Sequence, residues 1–267
     1  MTHVAPAAVR ARAFDAWADD YDRYRPGYPD ALFDLIADRI ELPTTPSVVD
    51  LGAGTGKVAR AIAARGWRTT AVDPGEPMLG VLRERAAQEG LQIETRVATA
   101  ERTGLPDAVF DAALAGEAYH WFDAPKALAE MGRIVRAGGG IALFWNMVDA
   151  DRSDLVAGER KLVAEYGIEG SDVRPSGPQQ ATRDAIVAAG AFDEPTFVQI
   201  PHVVPMTGAG YVGLAYTKSH LRTAPAELQE RYRSDFAAML ASHGVAADDR
   251  FEVPYVIDCW IARRNPE

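Results

Sequence analysis

Val48-Val-Asp-Leu-Gly-Ala-Gly-Thr-Gly56 is the stretch on which the reading of this chain turns. Ser47–Leu51 is short, apolar and β-branched, which suits a buried strand. Glycines then stand at 52, 54 and 56. Glycine takes positive φ at no steric cost and lets a ligand approach the backbone. An alanine-rich helix follows, up to a cap at Gly66, and points its N-terminus at such a ligand.

Two nucleotide-binding patterns fail on this stretch by named residues. A dinucleotide turn, G-x-G-x-x-G, needs glycine at 57, where Lys57 stands. A P-loop, G-x-x-x-x-G-K-[ST], needs glycine at 51 and Ser or Thr at 58, which are Leu51 and Val58.

Outward from this turn the chain alternates strands and helices. Arg68–Asp73, Gln92–Thr99, Phe110–Glu117 and Ile141–Asn146 read as further strands. Glu76–Glu89 and Ala124–Val135 read as helices, the first closed by Gly90 and the second ended by Gly138–Gly140. Nearly continuous apolar strands between helices imply a parallel sheet covered on both faces. Upstream, residues 10–25 form an amphipathic helix carrying Phe14, Trp17, Tyr21 and Tyr24, and a second helix starts at Pro29. Downstream the spacing predicts helices over 153–167, 182–190, 208–222 and 225–241, with strands at Thr196–Val204 and Val253–Arg263. That pattern reads as one domain over 1–267. Residues 10–42 would be a helical lid, 43–146 the ligand-binding core, and 147–180 and 208–248 cap insertions lining a substrate pocket.

Composition narrows the partners. The chain has 267 residues, 48% hydrophobic and 25% charged, ordinary values for a globular protein with a real core. Its net charge of −10 disfavours a nucleic-acid partner. Cys259 is the single cysteine, which suits a reducing compartment. Met1–Arg12 lacks the apolar run of a signal peptide, and no stretch reaches the roughly 20 apolar residues of a membrane span. The expectation is a cytoplasmic protein without a membrane anchor. His3, His120, His202, His220 and His243 are scattered without metal-ligand spacing, so no metal is expected.

Asp-Leu-Gly-Ala-Gly-Thr-Gly resembles motif I of the class I methyltransferases that use S-adenosylmethionine. Asp73 ends the second strand about twenty residues on, where an acid can accept both ribose hydroxyls. Asp73-Pro74 and Met78 resemble the second motif, in which an apolar side chain packs on adenine. Thr99-Ala100-Glu101, Phe110–Glu117 and Arg133–Gly140 continue the match in register. The resemblance implies a doubly wound, Rossmann-like α/β fold with seven mostly parallel strands in the order 3-2-1-4-5-7-6, strand seven antiparallel, and helical caps. It implies cofactor contacts from Tyr24, Arg25, Asp50, Gly52, Ala53, Gly54, Gly56, Asp73, Pro74, Met78, Thr99, Ala100, Glu101 and Glu117.

Two further segments, Tyr21-Asp-Arg-Tyr24-Arg-Pro-Gly-Tyr-Pro29 and Glu117-Ala-Tyr-His-Trp-Phe-Asp123, resemble the small-molecule branch that includes trans-aconitate methyltransferase. There the N-terminal helix folds over the cofactor. Arg25 suits its carboxylate as a bidentate fork, and aromatic faces suit its sulfonium. Tyr28, Tyr119, Trp121, Asn146, Tyr216 and His220 are substrate-contact candidates. His220 lies four positions after Tyr216, so one helix would carry both on one face. His120, the candidate catalytic residue, follows the fourth strand, where it can act as general base, orient a substrate or pack.

The expected activity is methyl transfer from S-adenosylmethionine to a small molecule, a carboxylate or hydroxyl, driven by proximity and orientation. The alternatives are N- or C-methylation, a nicotinamide-dependent oxidoreductase, a non-catalytic binder of the same cofactor, and a protein or RNA methyltransferase.

Overall fold

A computed structural model describes residues 17–167 and 177–266, without the side chains of Ser219 and His220. Phe14 lies outside the described residues. The chain divides into two units. The core unit holds residues 27–146, 177–200 and 257–266, and the second unit holds 17–26, 147–167 and 201–256.

Seven strands form one mixed sheet, and their order is β3-β2-β1-β4-β5-β7-β6, as expected. They are β1 (Ser47–Leu51), β2 (Arg68–Asp73), β3 (Ile93–Val97), β4 (Phe110–Gly116), β5 (Val135–Val148), β6 (Thr196–Thr207) and β7 (Arg250–Arg263). Strands β1 to β5 pair in parallel, with Asp50 level with Ala71 on one side and Leu114 on the other. The sheet order reverses at β1, so the carboxyl ends of β1 and β4 flank a switch point, where open α/β sheets bind ligands.

In the core unit the helices are α2 (Asp30–Ile40), α3 (Lys57–Ala64), α4 (Glu76–Glu89), α5 (Ala124–Ile134) and α7 (Gln180–Ala188). Leu32, Phe33, Ile36 and Ile40 of α2 pack with Val58 and Ile62 of α3 on alternate strand residues, among them Val48, Leu114, Phe144 and Cys259. Leu79, Leu82 and Ala86 of α4 bury Ala71 in a separate cluster. Each fully buried Leu or Ile contributes roughly 1.5–3 kcal/mol of transfer free energy, which fixes the strands in place.

The second unit holds α1 (Ala18–Tyr24), α6 (Asp154–Glu165), α8 (Gly208–Tyr216), α9 (Ser219–Arg222) and α10 (Ala226–Ser242). Its core gathers Leu155, Val163, Tyr211, Leu214, Tyr232, Phe236 and Leu240. Inside it, Glu159 accepts from the Tyr211 hydroxyl and pairs with Lys218.

Four elements differ clearly from the sequence expectation. β5 starts at Val135 rather than 141, because Val135 pairs with Phe110 before the register shifts and resumes at Gly140 opposite Ala112. The Gly138–Gly140 run is therefore part of the strand and not a turn. Gly139 O accepts from Arg264 N at 2.7 Å, and a Cβ at Gly140 would lie 2.7 Å from Ala262 O. The expected helix over 208–222 is two helices, α8 and α9, and the Thr217 hydroxyl between them donates to Leu214 O at 2.7 Å. β6 and β7 are each longer than expected. Among the described residues, no helix is long and apolar enough to cross a membrane.

Candidate functional site

The glycine turn is held by the neighbouring strand. Gly52 N and Ala53 N both donate to Val72 O, at 2.8 and 3.1 Å, and Gly56 N donates to Ala53 O at 2.8 Å. Gly52, Gly54 and Gly56 all have left-handed backbone, with φ of +69°, +54° and +83°. The turn is also tight. A Cβ at Gly52 would come within 2.6 Å of Ala118 Cβ, and one at Gly56 within 2.5 Å of Leu82 Cγ. Thr55, between them, is fully buried, and its hydroxyl has no hydrogen-bond partner.

Two acids organise this turn. Asp73 Oδ2 accepts from Gly54 N at 2.9 Å and Oδ1 from Gly75 N at 2.8 Å, which ties the end of β2 to the turn. A carboxylate oxygen has a second lone pair to offer. Asp50 is 1% exposed, and its Oδ2 accepts from Ala59 N at 3.0 Å, satisfying a donor of the first turn of α3. Burial pushes the Asp50 carboxyl up to about 7; the Ala59 N–H opposes the rise and the nearby Asp73 charge adds to it. Asp50 thus shapes the turn from below.

Around the turn, Met78 is buried with Cε 3.1 Å from where a Gly54 Cβ would stand, while Pro74 is exposed. After β3, Ala98 N donates to Asp73 O at 3.2 Å, Thr99 is exposed and Ala100 buried. Glu101 accepts from Asp123 N at 2.8 Å. The carboxyl ends of β1, β2 and β3 therefore gather Gly52, Ala53, Gly54, Gly56, Asp73 and Met78, with Ala100 and Glu101 tied in behind β3.

The end of β4 makes a second cluster. Glu117 has φ +55°, a region that costs a non-glycine residue roughly 1–3 kcal/mol and that concentrates at functional sites. Its Oε1 accepts from Asn146 N at 2.5 Å, and Asn146 Nδ2 donates to Gly27 O at 3.1 Å. Tyr28 sets its ring edge-on to Phe144 at 5.0 Å, and its hydroxyl lies 2.8 Å from where a Gly116 Cβ would stand. A turn of 3-10 helix, Tyr119–Trp121, follows. Tyr119 is buried, its hydroxyl has no partner, and burial pushes the phenol up to about 12. His120 Nδ1 accepts from Trp145 Nε1 at 3.2 Å, and the rings of His120 and Trp121 are 5.0 Å apart.

Tyr24, Arg25, Tyr216 and His220 belong to the second unit. There the Tyr24 ring covers Gly213. Arg25 lies 5.3 Å over the Tyr21 ring and donates to Thr217 Oγ1 and O at 2.9 and 3.2 Å. Tyr216 is buried and donates to Gln229 O. The sequence reading put Tyr216 and His220 on one helix, but Tyr216 ends α8 and His220 stands in α9, so no continuous helix carries both; the His220 side chain lies outside the described residues. Among the described residues, no group of three or more His, Cys, Asp or Glu could hold a metal ion.

Sequence reading passed over Thr55, Phe122 and Trp145. Thr55 is fully buried, and Phe122 would contact a Cβ at Gly52 at 3.2 Å. Trp145 carried a usable signal: a tryptophan in an apolar strand must find an acceptor for its indole N–H once buried.

Residues 49–143 match the family model described as a methyltransferase domain. An uncharacterised methyltransferase of Mycobacterium bovis is 30% identical over 249 residues, 92% of this chain and 93% of that protein. A ubiquinone biosynthesis O-methyltransferase of Methylocella silvestris is 38% identical over 93 residues, 34% of this chain and 36% of that protein. Among solved structures, a candidate type II methyltransferase of Anaeromyxobacter dehalogenans superposes with a TM-score of 0.66 at 25% identity, covering 91% of this chain and 100% of that one.

Proposed function

This chain belongs to the class I S-adenosylmethionine-dependent methyltransferases, and from that premise we propose that it methylates a small molecule at a carboxylate or hydroxyl. The observation that carries the cofactor assignment is the glycine turn bonded to Asp73.

The residues present fit the cofactor. The left-handed turn leaves backbone uncovered by Cβ atoms, and the orphaned Thr55 hydroxyl leaves a polar group there to be satisfied. Gly52, Ala53, Gly54 and Gly56 would cradle the amino-acid portion. Asp73 would accept the ribose hydroxyls, and Met78, Ala100 and Glu101 would border the adenine. When bound, the cofactor supplies a methyl group already activated on a sulfonium. The chain's own work is then to hold the acceptor in line with it and to exclude water, and orientation alone is worth up to about 7–11 kcal/mol. A carboxylate acceptor is already nucleophilic and needs no proton removed, whereas a hydroxyl must lose one.

Tyr28, Tyr119, His120, Trp121 and Asn146 are the acceptor-side candidates, because they cluster at the carboxyl ends of β4 and β5, beside Glu117 on the cofactor side. The relative named for ubiquinone biosynthesis supports O-methylation of a small molecule. The single cysteine extends the reading to a cytoplasmic setting.

The test is calorimetric titration with S-adenosylhomocysteine and with NAD. Saturable binding of the first and none of the second supports the assignment. Binding of NAD alone would return the turn to oxidoreductase chemistry. A screen of carboxylic acids, alcohols, phenols and amines with methyl-labelled cofactor then finds the acceptor, and labelling of amines only would displace the O-methyl reading.

A further inference from the structure

The hydrogen bond between Trp145 and His120 constrains what this histidine can do. An indole N–H is a donor and has no acceptor capacity. Trp145 Nε1 lies 3.2 Å from His120 Nδ1, so Nδ1 must present its lone pair. In the neutral imidazole the single proton then sits on Nε2. Trp145 is 3% exposed and packed edge-on to Tyr119 at 6.4 Å, which leaves its indole little freedom to turn away. A proton arriving at Nδ1 would face the indole N–H.

We infer that Trp145 is a positioning residue that locks His120 as a hydrogen-bond donor through Nε2, so that His120 orients an oxygen of the acceptor instead of removing its proton. The link runs between Trp145, near the carboxyl end of the interior strand β5, and the 3-10 turn after β4, both in the core unit. It selects acceptors that offer a lone pair beside the methylated atom, such as carboxylates and other oxyanions, over those that need a base at this position. Only this use of the donated bond rests on the methyltransferase reading; the state of the ring does not.

The experiment is a two-bond proton–nitrogen correlation spectrum of the full chain labelled with ¹⁵N-histidine, recorded alone and with S-adenosylhomocysteine, with His120 assigned by loss of its signals in His120→Ala. The expected pattern is an unprotonated, acceptor Nδ1 and a protonated Nε2. In Trp145→Phe the pattern should be lost and Nδ1-protonated ring should appear. His120 carrying its proton on Nδ1 in the unaltered protein would overturn the inference, as would an unchanged pattern in the variant. If Trp145→Phe does not fold, the spectrum of the unaltered protein decides alone. Failure of S-adenosylhomocysteine to bind leaves that spectrum readable, so it would count against the proposed function and not against the lock.

Discussion

Asp50 and Gly56 hold the glycine turn by different means, and each can be tested singly. The Asp50 carboxyl is raised from 3.8 to about 7, chiefly by burial. A carboxyl raised on folding favours the protonated native state, so its contribution is fully present below pH about 4 and is lost as pH rises towards 7. Asp50→Asn keeps an oxygen for Ala59 N and removes the charge. The unliganded variant should match the natural protein at pH 4 and exceed it above pH 7 by on the order of 2–4 kcal/mol in chemical denaturation. Parallel pH profiles would show that burial does not govern this group. Gly56→Ala meets both a φ of +83° and Leu82 Cγ at 2.5 Å, so a loss of roughly 2–4 kcal/mol is expected, together with weaker S-adenosylhomocysteine binding in titration. Full affinity in a stable variant would mean the turn is looser than its contacts indicate. The glycines were readable in the sequence because backbone need is written in residue type. The Trp145–His120 bond was not, because it joins positions 25 apart that only the pairing of β4 with β5 brings side by side.

Helices and strands between 43 and 134 were legible to within a few residues, since β1, β2, α3, α4 and β4 each end at or within two residues of a glycine or proline. β5 was not, because Gly138–Gly140 reads as a turn until Arg264, far along the chain, supplies a pairing partner. The break between α8 and α9 was hidden for the opposite reason: the apolar period runs on, while the Thr217 hydroxyl competes locally for a helix carbonyl. Caps belong to this scale too. Thr207 Oγ1 accepts from Gly210 N at 3.0 Å and starts α8. Thr207→Ala should cost about 1 kcal/mol in urea denaturation and Thr207→Ser much less. Equal losses would point to the methyl group, not the hydroxyl, as the stabilising part.

At the scale of the molecule, a net charge of −10 opposes anionic polymers. The chain should pass unretained through immobilised heparin at about 0.1 M salt. Retention would expose a local basic patch and reopen RNA as an acceptor. The sheet order was implied by the family resemblance, and the arrangement into two units is where residue patterns stop being informative, because compactness depends on contacts between distant segments. Cys259 has one more use. It is the single thiol in the chain, buried on β7 among core residues, and burial pushes its ionisation upward. In the native state it should therefore be silent to maleimides. Any cysteine introduced at the surface becomes the sole handle for a spin label or fluorophore, with no need to mutate the natural residue first. Conversely, the time course of Cys259 alkylation is a clock that ticks only when the sheet opens.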